Sequence, residues 1–402
     1  MPVDFGSLPV TGIHASTLSQ LRLALGLDKP GDRVKVVEPY QMLGEVTDDL
    51  REALGIDTVG LGARHTMFGY PLADWKEWEL FDGTPVLVPG LFNTVREKNG
   101  DLLQYPEGDK EAPASGRMPA GGYYHDVIVR QPPIDEAELN PEDNVEEFVH
   151  LTHDDAEHWE GEAERLYHGS ERAVVGAWGG AGFGDIAWVP GPGLKHPRGI
   201  RDIAEWYVST VSRRDYVYEV FERHCEIALQ NLARVAPLVG ERVQVLFTSG
   251  ADFGTQRGPF MSVETYRDLF KPFHTIINTW VHHNTNWKTL THTCGGVRPL
   301  LEDMIEAGFD IINPVQVSAE GMDAAGLKRD FGDRLVFWGG GVDTQKTLPF
   351  GTPEEVKREV RERLEIFAPG GGFVFNAIHN LQPKTPVENV LAMFEAVKEF
   401  GK

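Results

Sequence analysis

The stretch WKTLTHTCGGVRPLLEDMIEAGFDIINPV, running from Trp287 to Val315, reads as one complete strand–helix–strand unit. Trp287 to Thr293 is a short β-like run. Val297, Leu300, Leu301, Met304 and Ile305 then follow the i, i+3, i+4, i+7, i+8 spacing of one buried helical face, and Asp310 to Val315 is the next β-like run. The alternation continues on both sides, with strand candidates at Val243 to Ser249, Leu335 to Gly339 and Gly372 to Ile378, and fainter ones at Ala173 to Trp178 and Thr58 to Leu61. Strands alternating with helices argue for a parallel sheet with crossover helices. Seven candidates stand one short of a (β/α)8 TIM-type barrel, with an open doubly wound sheet as the competing arrangement. The polar residues favour the barrel. Asp252, His292, Cys294, Asn313, Asp343 and His379 each fall at or just after the C-terminal end of a candidate strand, where barrel enzymes keep their active sites.

Two later helices are expected to open with the same device, Thr352-Pro353-Glu354-Glu355 and Thr385-Pro386-Val387-Glu388: a capping Thr, Pro at the first helical position and Glu three residues after the cap. Residues 1–402 are read as a single barrel domain carrying a β-rich insertion at 84–130. In the insertion, Thr94 to Glu97 and Leu102 to Tyr105 flank the hairpin signal Asn99-Gly100, and Tyr123-Tyr124-His125-Asp126 leads into Val127-Ile128-Val129. An acidic helical connection, 131–168, leads back to the barrel.

Composition narrows the function. Sixty-one acidic against 38 basic residues leave a net charge of −23, which repels phosphodiester backbones and anionic lipid surfaces, so neither nucleic acid nor membrane is expected as a partner. No apolar run approaches the roughly 20 residues of a spanning helix. With two cysteines, Cys225 and Cys294, there is no disulfide framework, and a reducing, cytoplasmic location is expected.

His292 and Cys294 lie two apart on a strand, so their side chains point the same way, and His379 closes another strand. Three N/S donors with one open position are the pattern of a reactive zinc, and a thiolate with imidazoles disfavours magnesium and calcium. The competing reading is a buried Cys packed as a small hydrophobe beside a hydrogen-bonded histidine; for Cys225, within the helical run Phe221 to Leu232, that reading holds. Asp252 and Arg257 occupy a glycine-rich turn, Gly250 to Pro259, where Asp252 either faces the site or caps the turn and pairs with Arg257. Gly339-Gly340-Gly341 lacks the Lys and Ser/Thr of a phosphate loop and is read as clearance for a bulky ligand. Trp178, Trp188, Trp338 and the Tyr123-Tyr124 pair either line an aromatic pocket or fill the core.

These residues resemble the uroporphyrinogen decarboxylase-like superfamily, and within it the zinc-dependent corrinoid methyltransferase branch. The resemblance is carried by Gly250-Ala-Asp252-Phe-Gly-Thr-Gln-Arg257-Gly-Pro259 with Ser262, His292-Thr-Cys294-Gly, Ile312-Asn313-Pro-Val-Gln316, Gly340-Gly-Val-Asp343, and Phe375-Asn-Ala-Ile-His379-Asn-Leu-Gln382. It covers roughly the last 160 residues. It implies a (β/α)8 barrel, Zn2+ on His292, Cys294 and His379, and a corrinoid (cobalamin) delivered by a carrier protein to the C-terminal face. Asp252 and Asp343 are the expected catalytic groups, with Arg257, Asn313, Gln316, Tyr123, Tyr124 and Trp338 against the substrate. A small methylated substrate, and a second copy of the chain as a homodimer, complete the expected partners.

Two departures matter. The Arg-x-x-Gly-Arg-Tyr run of the tetrapyrrole decarboxylases is absent, and His379 stands where thiol-methylating members carry a second Cys. One thiolate with two imidazoles leaves zinc electrophilic, which suits polarising the oxygen of an aryl methyl ether while cobalt takes the methyl group. The alternatives are transfer from methylcorrinoid to a thiol, a metal-free decarboxylase of the same fold, and a non-catalytic corrinoid-binding protein.

Overall fold

The computed structural model describes residues 1–178 and 180–401. All seven strand candidates lie in one parallel sheet: Thr58–Leu61, Ala173–Gly176, Val245–Ser249, Lys288–His292, Ile311–Asn313, Val336–Trp338 and Phe373–Val374, each paired with its neighbour in chain order. Strictly sequential parallel pairing with intervening helices, curled into a TIM-type fold, corresponds to the barrel and not to the doubly wound sheet, whose strand order would reverse.

The period of two sorts the side chains. Val175, Val245, Leu290, Ile311, Trp338 and Val374 point inward and form one apolar cluster inside the barrel. Alternate residues such as Leu246, Ile312, Phe337 and Phe373 point outward into the larger core beneath the helices.

The eighth stave is supplied by the first residues of the chain. The Phe375 amide donates to Pro2 O and the Asp4 amide to Phe375 O, both at 2.9 Å, while the Asp57 amide donates to Val3 O at 2.8 Å, so residues 2–4 bridge the last strand to the first. The fully buried Asp4 carboxylate accepts from Thr58 Oγ1 at 2.5 Å and from Trp338 Nε1 at 2.9 Å. Burial pushes this carboxyl above its usual value, and these donors offset the cost of enclosing it. No sequence pattern signalled this stave, because three residues are too few for a periodicity.

The β-rich part reaches back to Val34. One four-stranded sheet holds Val34–Glu38, Leu43–Gly44, Lys76–Glu79 and Pro85–Val88; a second holds Thr94–Arg96, Leu102–Gln104, Gly116–Met118 and Asp126–Val127. They share a separate apolar core that includes Val36, Phe68, Tyr70, Val86 and Phe92. Of the acidic stretch that follows, His153–Gly169 is helix, opened by a Thr152/Asp155 capping box.

The Thr352 capping box forms as expected, ahead of Pro353–Phe367. The Thr385 one does not. Pro386 takes the cap position, and the Thr385 hydroxyl turns back to donate to Gln382 O at 2.8 Å. Trp178 is a core residue, packed against Trp159 and Trp287 at ring separations of 5.5 and 5.2 Å. Among the described residues no helix is long and apolar enough to cross a membrane.

Asp4→Ala leaves the buried Trp338 indole and Thr58 hydroxyl without partners at the closing seam. A loss of about 3 kcal/mol is expected in urea denaturation, against near-neutrality for truncating an exposed acid such as Glu52.

Candidate metal centre at the barrel mouth

His292 continues the inward face of its strand one step beyond Leu290, and Cys294 lies one step further on. His379 reaches the same point from the segment that follows Phe373–Val374. One donor atom from each of the three residues lies within 4.8 Å of the others, and the two imidazole centroids are 5.3 Å apart at 72°. His292 Nε2 and Cys294 Sγ stand 3.4 Å apart, close to the roughly 3.5 Å edge of a tetrahedron built on the usual Zn–N and Zn–S lengths.

The ring nitrogens are already sorted. His292 Nδ1 is 2.7 Å from Asn313 Oδ1, which fixes the proton on Nδ1 and leaves the Nε2 lone pair aimed at Cys294. Asn313 is in turn held by donating to Trp338 O at 3.0 Å. Burial pulls the His292 imidazole below its ordinary value, against the opposing pull of Asp252 and Asn313. Burial first, and His292 second, bring His379 down to about 3. The Cys294 thiol is driven well up by burial and then by the Asp252 carboxylate. Two neutral imidazoles and an enclosed thiol that needs a nearby cation to ionise are a donor set that fits zinc.

The loop that carries Cys294 is pinned along its backbone. The Cys294 amide donates to Asp252 Oδ1 and the Gly295 amide to Gln316 Oε1, at 2.7 and 2.8 Å, and Thr293 Oγ1 accepts from the Phe253 amide at 2.8 Å. Gly295 has φ +89°, and a Cβ on the facing Gly254 would lie 2.5 Å from Cys294 O, so both glycines are needed for the two loops to meet.

The remaining sequence candidates are distributed as follows. Asp252 is at the centre, with Oδ1 3.9 Å from His292 Nε2 and its side chain one-third exposed. Asn313 and Gln316 are buried and hold the metal loop, so neither is free to meet a substrate. Trp338 is also buried, inside the barrel with its indole on Asp4, and does not line the mouth. Asp343 caps its own turn, with Oδ1 accepting from the Gln345 and Lys346 amides at 2.7 and 3.1 Å. Arg257 sits exposed at the tip of the Gly254–Thr255/Gly258–Pro259 hairpin and makes no ion pair among the described residues. Tyr123 and Tyr124 meet the loop after His379, with the Tyr124 hydroxyl 2.9 Å from Gln382 Oε1 and Lys384 Nζ 5.0 Å from the Tyr123 ring. The triple glycine packs against protein and not around a ligand: a Cβ on Gly340 would meet Val315 O at 2.7 Å, and one on Gly341 the Phe375 ring at 2.3 Å.

Asp185 escaped the sequence reading. It follows the Ala173–Gly176 strand in a Gly182-Phe-Gly184 turn, so the strand-end rule that selected the others applied to it as well. Burial, reinforced by the Asp252 charge, raises its carboxyl to about 7. Oδ1 accepts from the Ala187 amide at 2.9 Å, and Oδ2 lies against Gly250, two residues before Asp252.

The fold is that of a parallel TIM-type barrel, with His292, Cys294 and His379 convergent at its C-terminal mouth. More narrowly, residues 214–400 match the family model described as Uroporphyrinogen decarboxylase (URO-D). The chain is 36% identical over 94 residues to a uroporphyrinogen decarboxylase of Pseudoalteromonas translucida, covering 21% of this chain and 26% of that protein. It is 32% identical over 121 residues to a methylcobamide:CoM methyltransferase, MtaA, of Methanosarcina barkeri, covering 29% of this chain and 32% of the relative. The chain thus aligns with only about a quarter to a third of these relatives' lengths. A solved methyltransferase from Methanosarcina mazei superposes over 100% of this chain and 94% of its own, with a TM-score of 0.55 at 16% identity, a likeness of fold.

The raised Asp185 carboxyl sets a sign for stability. Its folded-state value of about 7 lies above the ordinary 3.8, so the native state binds an extra proton between those limits. Its contribution is therefore most favourable below about pH 4 and declines as pH rises toward 7. Asp185→Asn should flatten the fall in thermal midpoint between about pH 4 and pH 7, measured by calorimetry.

Proposed function

We propose that this protein is a zinc-dependent methyltransferase that moves a methyl group from a small methylated substrate, an aryl methyl ether, to a corrinoid held by a carrier protein. The observation that carries the reading is the donor set itself: one thiol and two imidazoles, convergent within 4.8 Å at the open end of the barrel. The relatives supply context, since both a decarboxylase and a methylcobamide-dependent methyltransferase are among them.

When bound, zinc supplies Lewis acidity toward the ether oxygen, and a single thiolate leaves that acidity less quenched than two would. The chain's own groups do the rest. His292 Nδ1–H on Asn313 fixes which nitrogen faces the ion. Asp252 holds the Cys294 backbone in register while its side chain stays partly open to an incoming molecule. Loss of the methyl group leaves an aryl oxyanion that needs a proton. Asp185, with a carboxyl poised at about 7 and Oδ1 occupied by the Ala187 amide, can hold that proton on Oδ2. The methyl group forms its new bond to the corrinoid, which enters the reaction as the second substrate.

The test is to supply zinc-loaded protein with a reduced corrinoid carrier and a methoxylated aromatic, following corrinoid methylation by absorbance and the free phenol by chromatography. Stoichiometric phenol is expected, with His292→Ala, Cys294→Ala and His379→Ala each lowering the rate at least about 100-fold. No demethylation together with rapid methylation of a thiol from methylated corrinoid would reverse the direction. Carbon dioxide released from a tetrapyrrole by metal-free protein would replace the reading with decarboxylation.

A further inference from the structure

We propose that Asn380 is a positioning residue for the metal centre, tying the His379 arm to the N-terminal segment and the β-rich insertion so that the third donor is held in place from outside the barrel. The inference rests on the metal reading above and adds residues to it that no donor set includes.

Asn380 follows His379 directly and is 1% exposed. Its amide makes three bonds to two separate parts of the chain. Oδ1 accepts from the Gly12 amide at 2.5 Å, and Nδ2 donates to Pro9 O at 2.8 Å and to Gln41 Oε1 at 2.9 Å. The next residue continues the seam, with the Leu381 amide on Gly12 O and the His14 amide on Leu381 O, both at 2.9 Å. Gln41 is anchored in its turn, its own amide donating to Glu38 Oε2 at 2.7 Å and its Nε2 to Pro9 O at 3.1 Å.

His292 and Cys294 are presented by one strand and its continuation, and the bonds that brace them, from Asn313, Asp252 and Gln316, come from within the barrel mouth. His379 differs. It lies five residues beyond the end of the short Phe373–Val374 strand, past the Phe375 bridge to the N-terminal stave. Ahead of His379 the backbone is tied to the continuation of the neighbouring strand, with the Gly341 amide on Asn376 O at 2.9 Å and the Ile378 amide on Val342 O at 3.1 Å; beyond it the bonds run to residues 9–14 and to Gln41. Outer groups that orient a ligand in this way typically change metal affinity by about 10- to 100-fold when removed.

The experiment measures zinc affinity by chelator competition, and the visible spectrum of the cobalt(II)-substituted protein, for wild type, Asn380→Ala, Asn380→Asp and Gln41→Ala. Asn380→Ala and Asn380→Asp should bind zinc about 10- to 100-fold more weakly, because neither can donate to Pro9 O and Gln41 Oε1. Their cobalt spectra should lose intensity as tetrahedral coordination gives way to a more open geometry. Gln41→Ala, which removes one of the three bonds to the Asn380 side chain together with the Gln41 bond to Pro9 O, should show a smaller change in the same direction, and it keeps the test valid should the Asn380 variants fail to fold. Val356→Ala, buried in the Pro353–Phe367 helix away from the centre, is the control for general destabilisation. Unchanged affinity and spectra in folded variants would overturn the inference, as would an equal loss in Val356→Ala. Wild-type protein that takes up no zinc would overturn the metal reading together with it.

Discussion

His292 and His379 belong to strands three places apart in the sheet. Neighbouring strands are spaced by about 4.8 Å, so a flat sheet would separate these residues by about 14 Å. Their rings are 5.3 Å apart. The difference is the work of curvature, and a curled parallel sheet stays curled only if its two edges are joined. Residues 2–4 make that joint, with backbone bonds to Phe375 on one side and Asp57 on the other, and with the Asp4 carboxylate reaching both Thr58 and Trp338. The convergence of His292 and His379 is therefore a property of the closed barrel and not of any one loop.

Much of the architecture is legible in the chain because βα units announce themselves through two periodicities. The Leu290, His292, Cys294 alternation and the Val297 to Ile305 helical face each encode their own orientation, and both are found as read. The short stave at residues 2–4 has no pattern to detect. The true extent of the β-rich part was obscured for a related reason: Val34–Glu38 pairs with Pro85–Val88 across some fifty residues, and pairing at that separation leaves no local trace. The second proline-opened helix shows a different limit. Thr385 shares with Thr352 a following Pro and a Glu three residues on, but a carbonyl at Gln382 lies within reach and wins its hydroxyl.

The meeting of His292, Cys294 and His379 was readable because metal chemistry demands particular residue types at strand ends. The roles of the surrounding polar residues were not, because type and strand-end position are shared by groups that bind substrate and groups that brace the site. Burial separates them. A buried polar side chain must satisfy itself within the protein. Asn313 at 0% exposure and Gln316 at 5% do so on His292 and on the Gly295 amide, and so have little left to offer an incoming molecule. Asp343 at 8% is committed to its own turn. Asp252 holds Cys294 with one oxygen and keeps a side chain one-third exposed, so it alone among these carboxylates and amides both braces the metal loop and faces the opening.

That division bears on how the site treats charge. Asp252 lies beside a thiol and two imidazoles, and its negative field helps to keep the Cys294 proton in place while no cation is near. A divalent ion reverses the balance. With its two positive charges set against one thiolate and one nearby carboxylate, the centre as a whole becomes neutral, and the enclosed surroundings no longer oppose the ionised thiol. Asp185 stands just outside that balance, its carboxyl raised by burial and by Asp252 in turn. The same carboxylate thus couples the two halves of the mouth: it orients the loop that carries Cys294, and it helps to keep the neighbouring acid protonated.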